Sequence, residues 1–198
     1  MFLAGAAIGE TQANLITSTA FTLKVLLGPQ YNVQKRFLLF FRVSVCPQLA
    51  CWIENTDGGY AGTIYAPRGG RPEALPVRTH RKLGKAAITD AVSGATSRTS
   101  MEHGAILSIP PGRHRVFIEV NRSFNYNETY TRANPGVNGQ PSIAYQAEID
   151  VGKAASVARF VPIGVGSVDG ADGNIRPGFA GITTTLSATK DAELDYGE

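Results

Sequence analysis

Cysteine, histidine, tryptophan and methionine are all scarce: the 198 residues hold two, three, one and two of them. Two cysteines fall short of the four ligands of a structural zinc site, and His80, His103 and His114 are scattered without metal-ligating spacing. No serine or cysteine lies in a nucleophile motif such as G-x-S-x-G. Ser93, in Val-Ser-Gly, lacks the preceding glycine of that elbow. The residues therefore give no support to zinc or serine-hydrolase chemistry, and they favour a carrier or binding module over a catalyst. Charge is also low. Charged residues make up 18% of the chain, below the roughly 25% of an average soluble protein. The 19 basic and 16 acidic side chains leave only +3, too little to imply a nucleic-acid partner. Long apolar runs are missing too: the longest, Phe37 to Phe41, stops at Arg42, far short of the roughly 20 residues of a membrane helix, so no transmembrane segment is expected.

What is present is a hydrophobic fraction of 43% and much chain punctuation, 22 glycines and 11 prolines. That mixture suits many short strands joined by turns better than a few long helices. Alternating or β-branched stretches at Ala20–Leu27, Arg36–Val45, Ala50–Glu54, Tyr60–Ala66, Ala105–Ile109, Arg113–Val120, Ser142–Ile149, Ala155–Ile163 and Gly181–Ser187 read as strands. Asn55-Thr56-Asp57-Gly58-Gly59 supplies residues that tolerate positive φ and predicts a hairpin. Pro110-Pro111-Gly112 predicts another, and Ser142–Ile149 with Ala155–Ile163 a further pair. Pro67 to Thr89 reads as a long excursion with a helical turn near His80 to Leu83. The expected fold is all-β, an immunoglobulin-like antiparallel sandwich of about eight to nine strands with long loops. Its expected limits are residues 20–189, preceded by an N-terminal segment, 1–19, and followed by a flexible acidic tail, 190–198. Met1 to Gly9 is apolar and precedes Thr11-Gln12-Ala13, like the end of an export signal, but no basic n-region stands before it; a signal remnant and an ordinary disordered start both remain open.

Cys46 and Cys51 bracket Pro47-Gln48-Leu49-Ala50 between two strand-like runs. The spacing reads as a hairpin tip closed by a disulfide, if the chain is exported, or as two buried thiols; a redox dithiol would call for C-x-x-C. Trp52 is expected in the sandwich core. Asp169, Asp172 and Asn174 lie in the Gly-rich stretch Gly164 to Gly178. They offer oxygen ligands without the spacing of an EF-hand, so a plain loop is the expectation there.

The most informative stretch is Asp90-Ala91-Val92-Ser93-Gly94-Ala95-Thr96, followed by Ser97 and Arg98. It resembles the acceptor motif of FMN-binding domains in sodium-pumping quinone reductases and Rnf-type complexes. There the threonine after Gly-Ala receives FMN through a phosphoester bond made by an FMN transferase. The resemblance implies covalent FMN on Thr96, with Asp90 as the motif acid and Ser93, Gly94 and Ala95 as the small residues that let the transferase approach. Backbone N–H groups freed by such small residues suit phosphate oxygens. Arg81, Lys82 and Arg98 then become candidates for the FMN phosphate, beside the reading of a solvated basic loop.

A wider likeness covers Phe37 to Ser187. Cys51-Trp52-Ile53-Glu54-Asn55-Thr56-Asp57-Gly58, Arg71 to Val77, the Asp90 segment, Pro110-Pro111-Gly112, Phe117 to Asn121 and Asn138 to Ser142 follow one another in an order that resembles a family of predicted periplasmic proteins of unknown function. Members of that family look like immunoglobulin-type sandwiches and occur beside flavinylated, membrane-associated electron transfer. The likeness implies periplasmic or otherwise exported localisation. It also implies an FMN transferase and a membrane redox protein as partners. The alternative is a non-catalytic binding or assembly module of the cell envelope, without cofactor, in which Asp90 to Thr96 is a structural loop and the partner is another envelope protein.

Overall fold

A computed structural model describes residues 17–37, 41–67, 72–82, 99–133 and 139–197. Among these the chain forms two antiparallel sheets packed face to face, a separate two-stranded ribbon and one short helix. The strands are β1 (Thr17–Leu27), β2 (Val33–Phe37), β3 (Phe41–Val45), β4 (Gln48–Asn55), β5 (Tyr60–Tyr65), β6 (Ser100–Ile109), β7 (Gly112–Asn121), β8 (Ile143–Val151), β9 (Ser156–Arg159), β10 (Val161–Val165) and β11 (Thr189–Gly197); the helix is α1 (Pro76–Lys82). The four-stranded sheet runs β6-β1-β11-β9 and the five-stranded sheet β10-β8-β7-β4-β5, while β2 and β3 pair only with each other. The two main sheets thus hold nine strands, as expected of the all-β sandwich.

Alternation explains the layering. In β6 inward Met101, Ala105, Leu107 and Ile109 alternate with exposed Glu102, Gly104, Ile106 and Ser108. In β1, Phe21, Leu23, Val25 and Leu27 face the core, and from the other sheet Leu49, Cys51, Ile53, Val116, Ile118, Val120, Ile143 and Ile149 meet them. Each fully buried Leu or Ile side chain contributes about 1.5–3 kcal/mol over leaving it in water. The Asp57-Gly58-Gly59 hairpin joins β4 to β5, with Gly58 at φ 87° and the Asp57 carboxylate accepting from Gly59 N–H at 2.7 Å.

Several expectations are corrected. Pro110-Pro111-Gly112 makes no hairpin, because β6 pairs with β1 while β7 pairs with β4 and β8. The turn carries the chain from one sheet to the other. Ala155–Ile163 is two strands: β9 pairs with β11, β10 pairs with β8, and buried Phe160 marks the switch between sheets. The described residues of Arg36–Val45 likewise belong to two strands, β2 and β3, paired with each other. Gly181–Ser187 is not a strand. Its threonines spend their polar groups on side chains: Asn125 Nδ2 donates to Thr185 Oγ1 at 2.6 Å, and Gln140 accepts from Thr183 N–H at 2.7 Å while donating to Thr184 Oγ1 at 3.0 Å. Gly139, at φ 111°, lets the chain pass Asn125, where a Cβ would come within 2.5 Å of the Asn125 nitrogen.

The acidic tail is a central strand. β11 lies between β1 and β9, with Ala192 and Leu194 buried and its acids on the open face, where Glu193 pairs with Arg159 and Asp195 with Lys24. The sandwich therefore extends past the expected boundary at residue 189, and its first described strand starts at Thr17. No disulfide joins Cys46 and Cys51. β3 and β4 pair with different partners, so these residues do not tip a hairpin. β4 turns Cys51 into the core, where burial pushes its thiol pKa up, while Cys46 is exposed before the strand begins.

Candidate functional site

The outer face of the five-stranded sheet carries a second, smaller apolar cluster, built from Trp52 on β4, Tyr60 on β5, Phe117 on β7 and Val77 on α1. Trp52 is buried, but on the face away from the four-stranded sheet, because it alternates with the inward Cys51 and Ile53. Register sets Trp52 opposite Phe117, and their rings stack with centroids 5.5 Å apart and 17° between planes. Such pairs add about 0.5–1.5 kcal/mol beyond their buried area. The Arg81 guanidinium lies over the Phe117 ring, 4.9 Å from its centroid.

Two buried carboxylates hold α1 on this platform. Glu54 accepts from Trp52 Nε1 at 2.7 Å and from Arg81 Nη1 at 3.0 Å and 2.9 Å on its two oxygens. Its side chain is 3% exposed against 29% for Arg81, so the pair is mostly withdrawn from water and the hydrogen bonds offset desolvation. Glu119, fully buried, accepts from Val77 N–H at 3.1 Å, Arg78 N–H at 2.9 Å and Ser142 Oγ at 2.6 Å. It satisfies amides of the helix's first turn that no intrahelical carbonyl can reach. Burial pushes the Glu119 carboxyl up to about 7, against the lowering effect of those donors and of Arg81. One carboxylate thus grips the start of α1 and the other its last turn.

The connection after β10 closes over the helix from the other side. His80 Nε2 lies 2.9 Å from the Gly170 carbonyl, and Arg81 Nε donates to the Gly173 carbonyl at 3.4 Å. Two glycines permit this approach: a Cβ on Gly173 would come 2.8 Å from that of His80, and one on Gly166 2.3 Å from Ser142 Oγ. The carboxylates in this stretch serve the loop. Asp172 pairs with Arg176 at 2.7 Å, Asp169 accepts from Ser167 Oγ and from Ala171 N–H at 3.0 Å, and these contacts hold both carboxyls below the usual range.

Of the residues proposed from sequence, Arg81 and Lys82 end α1, with Arg81 committed to Glu54, Phe117 and Gly173 and Lys82 half-buried beside it. Asp90, Ser93, Gly94, Ala95, Thr96 and Arg98 lie outside the described residues. Cys46 and Cys51 are distant in role from this site, one exposed and one in the main core. Sequence reasoning passed over Glu54, Glu119 and Ser142. The signal was there: in Phe117-Ile118-Glu119-Val120, alternation puts Glu119 on the face of Phe117, opposite the apolar Ile118 and Val120. No family model matches the chain, nor does any curated protein or solved structure.

Proposed function

We propose that the chain is an exported, periplasmic accessory module of flavin-dependent electron transfer, a carrier of FMN on Thr96 and not a catalyst in its own right. The observation that carries this reading is the double clamp on α1. Glu119 and Glu54 fix both ends of a short helix whose last residue, Lys82, stands eight positions before Asp90, where the acceptor-like segment begins. Buried acids on a sheet thus fix the described residues that come nearest before that segment in the sequence. Among the described cations Lys82 suits the FMN phosphate better than Arg81, whose Nη1 and Nε already serve Glu54 and Gly173. In the attachment step a new bond joins Thr96 Oγ to the flavin phosphorus. The hydroxyl loses its proton, and the bond to the leaving group on the transferase's activated flavin donor breaks. FMN once attached supplies the reversible electron transfer, and a membrane redox protein is the partner with which electrons are exchanged.

Intact mass of the protein co-produced with an FMN transferase tests this. A gain of one FMN phosphoester, absent from Thr96→Ala, is expected; an unmodified mass, or a modification that survives Thr96→Ala, overturns it. The second reading, a binding or assembly module for an envelope protein without cofactor, draws on one observation: Glu54, Glu119 and Arg81 are all spent on internal partners, as in a rigid scaffold. A colourless protein made with the transferase favours that reading.

A further inference from the structure

Because Phe21, Leu23 and Val25 of β1 face the core, Ala20, Thr22 and Lys24 between them face outward, and register extends each of these positions into a row across β6, β1, β11 and β9. One row reads Glu102, Lys24, Glu193, Arg159, so charge alternates in sign from one edge of the sheet to the other. The next reads Gly104, Thr22, Asp195, Val157. Beyond it stand Ile106, Ala20 and Gly197, then Ala155, whose Cβ would lie 2.7 Å from one added to Gly197. Ile106 is 71% exposed and Val157 56%, and they occupy opposite edges of this one face. A shallow hollow beside Val157 is lined by Ala20, Thr22, Ala155, Asp195 and Gly197. Within the chain Glu193 pairs with Arg159 and Asp195 with Lys24, yet both cations remain exposed and each carboxylate has lone pairs for a second donor.

We infer that this face binds the same face of a second copy of the chain, about a two-fold axis that runs parallel to the strands between β1 and β11. Such an axis lays β6 on β9 of the second copy and β1 on β11, and it sets each row on its own counterpart in reverse order. Reversal makes the charged row complementary to itself: Glu102 meets Arg159 of the second copy, and Lys24 meets Glu193. Bulk matches as well. Ile106 enters the hollow beside Ala155 and Gly197, and Val157 covers Gly104, where a Cβ would meet nothing within 4 Å. An axis across the strands would lay β6 on β6 and, at the charged row, Glu102 on Glu102 and Lys24 on Lys24, so charge order selects the first arrangement. Twisted sheets packed face to face diverge away from the centre of contact, which leaves Leu26 and Asp191, one row further out, at the rim. A four-stranded face is small for a stable interface, so the dimer is weak and reversible. The assignment stands apart from the reading of Thr96, since it uses none of the same residues.

Sedimentation equilibrium of the full chain, at concentrations up to about 1 mM, tests it, since even a weak dimer is populated there. A monomer–dimer equilibrium that weakens as salt rises is expected. Ile106→Asp abolishes it, whereas Val161→Asp, at an exposed apolar position of β10 in the other sheet, leaves it unchanged. Glu102→Lys and Arg159→Glu each weaken it about tenfold, because two attractive pairs between the copies become repulsive. Mixed in equal amounts, these two variants associate with one another as the natural protein does, because the mixed dimer restores both pairs with the charges exchanged. That rescue separates a contact between copies from mere damage to the fold. A monomer throughout the range, wild-type association of Ile106→Asp, or two charge variants that weaken alone and are not restored by mixing overturns the inference. Were Arg159→Glu to melt early through loss of its partner Glu193, Ile106→Asp and the salt dependence of the unaltered protein would still decide.

Discussion

Glu119 takes up a proton when the chain folds. Its carboxyl rises from 4.5 to about 7 because burial penalises the charged form more than Val77, Arg78, Ser142 and Arg81 favour it. A folded value above the unfolded one means that the stabilisation is complete below pH 4.5. It declines as pH rises, since the unfolded chain has released the proton that the folded one keeps, and it is gone above about 7. The full swing corresponds to ~3 kcal/mol at about 1.4 kcal/mol per unit. In Glu119→Gln the amide oxygen can accept from only one of the two helix amides, a loss that does not depend on pH, and no proton is exchanged. Urea midpoints across that window are therefore expected to fall more steeply with pH in the natural protein than in the variant. Parallel profiles would show that Glu119 does not titrate there. The comparison cancels the histidines, which both proteins share.

At the scale of elements, the sequence made the sandwich legible where alternation is clean. β1, β4, β7 and β8 lie within a few residues of the stretches read from it, because each has one face in the main core. It misled where polarity and role part company. β11 reads as Thr-Lys-Asp-Ala-Glu-Leu-Asp-Tyr-Gly, acidic enough to look frayed, yet Ala192 and Leu194 supply the inward face and the acids line the open one. Gly181–Ser187, β-branched and therefore strand-like, is held by Asn125 and Gln140, whose side chains satisfy its threonines in place of a ladder. Of the candidate site, Arg81 and Lys82 were visible as a basic cluster. The acids that fix them were not, because Glu54 and Glu119 come from strands distant in sequence from α1, and only the packed sheet brings them together.

The clamp also depends on the backbone passing Ser142 at Gly166. A Cβ there would lie 2.3 Å from Ser142 Oγ and 3.2 Å from both Glu119 Oε1 and Pro76 Cγ, so Gly166→Ala must push Ser142 off Glu119. A loss of about 1–3 kcal/mol is expected, as for other overpacked sites. It should read as a lower urea midpoint at unchanged m-value. Ser142→Ala made in the same chain removes the obstructing oxygen, so the double variant should lose less than the sum of the two single losses. Additive losses would show that the serine is not the contact that matters.

For the whole molecule, the four-stranded sheet is closed by its first and last described strands. β1 opens the described chain and β11 ends it, paired along Ala20↔Gly197 to Leu27↔Thr189, and β11 alone joins β1 to β9. The chain crosses between sheets at Pro110–Gly112 and at Phe160, so neither sheet can be completed from one continuous stretch of sequence. Most pairings are therefore non-local, and a single cooperative transition with slow folding is expected of such a topology. Removing residues 189–198 should expose the inner edges of β1 and β9 and empty the sites of Ala192 and Leu194, both of them buried. Unpaired edges of this kind recruit other chains. The truncated protein is expected to lose its near-ultraviolet circular dichroism and cooperative melting and to aggregate, whereas Lys190→Ala, at an exposed position of the same strand, should melt as the intact protein does. A truncated chain that melted like the full one would mean that the acidic end is a dispensable tail and that the sandwich closes without it.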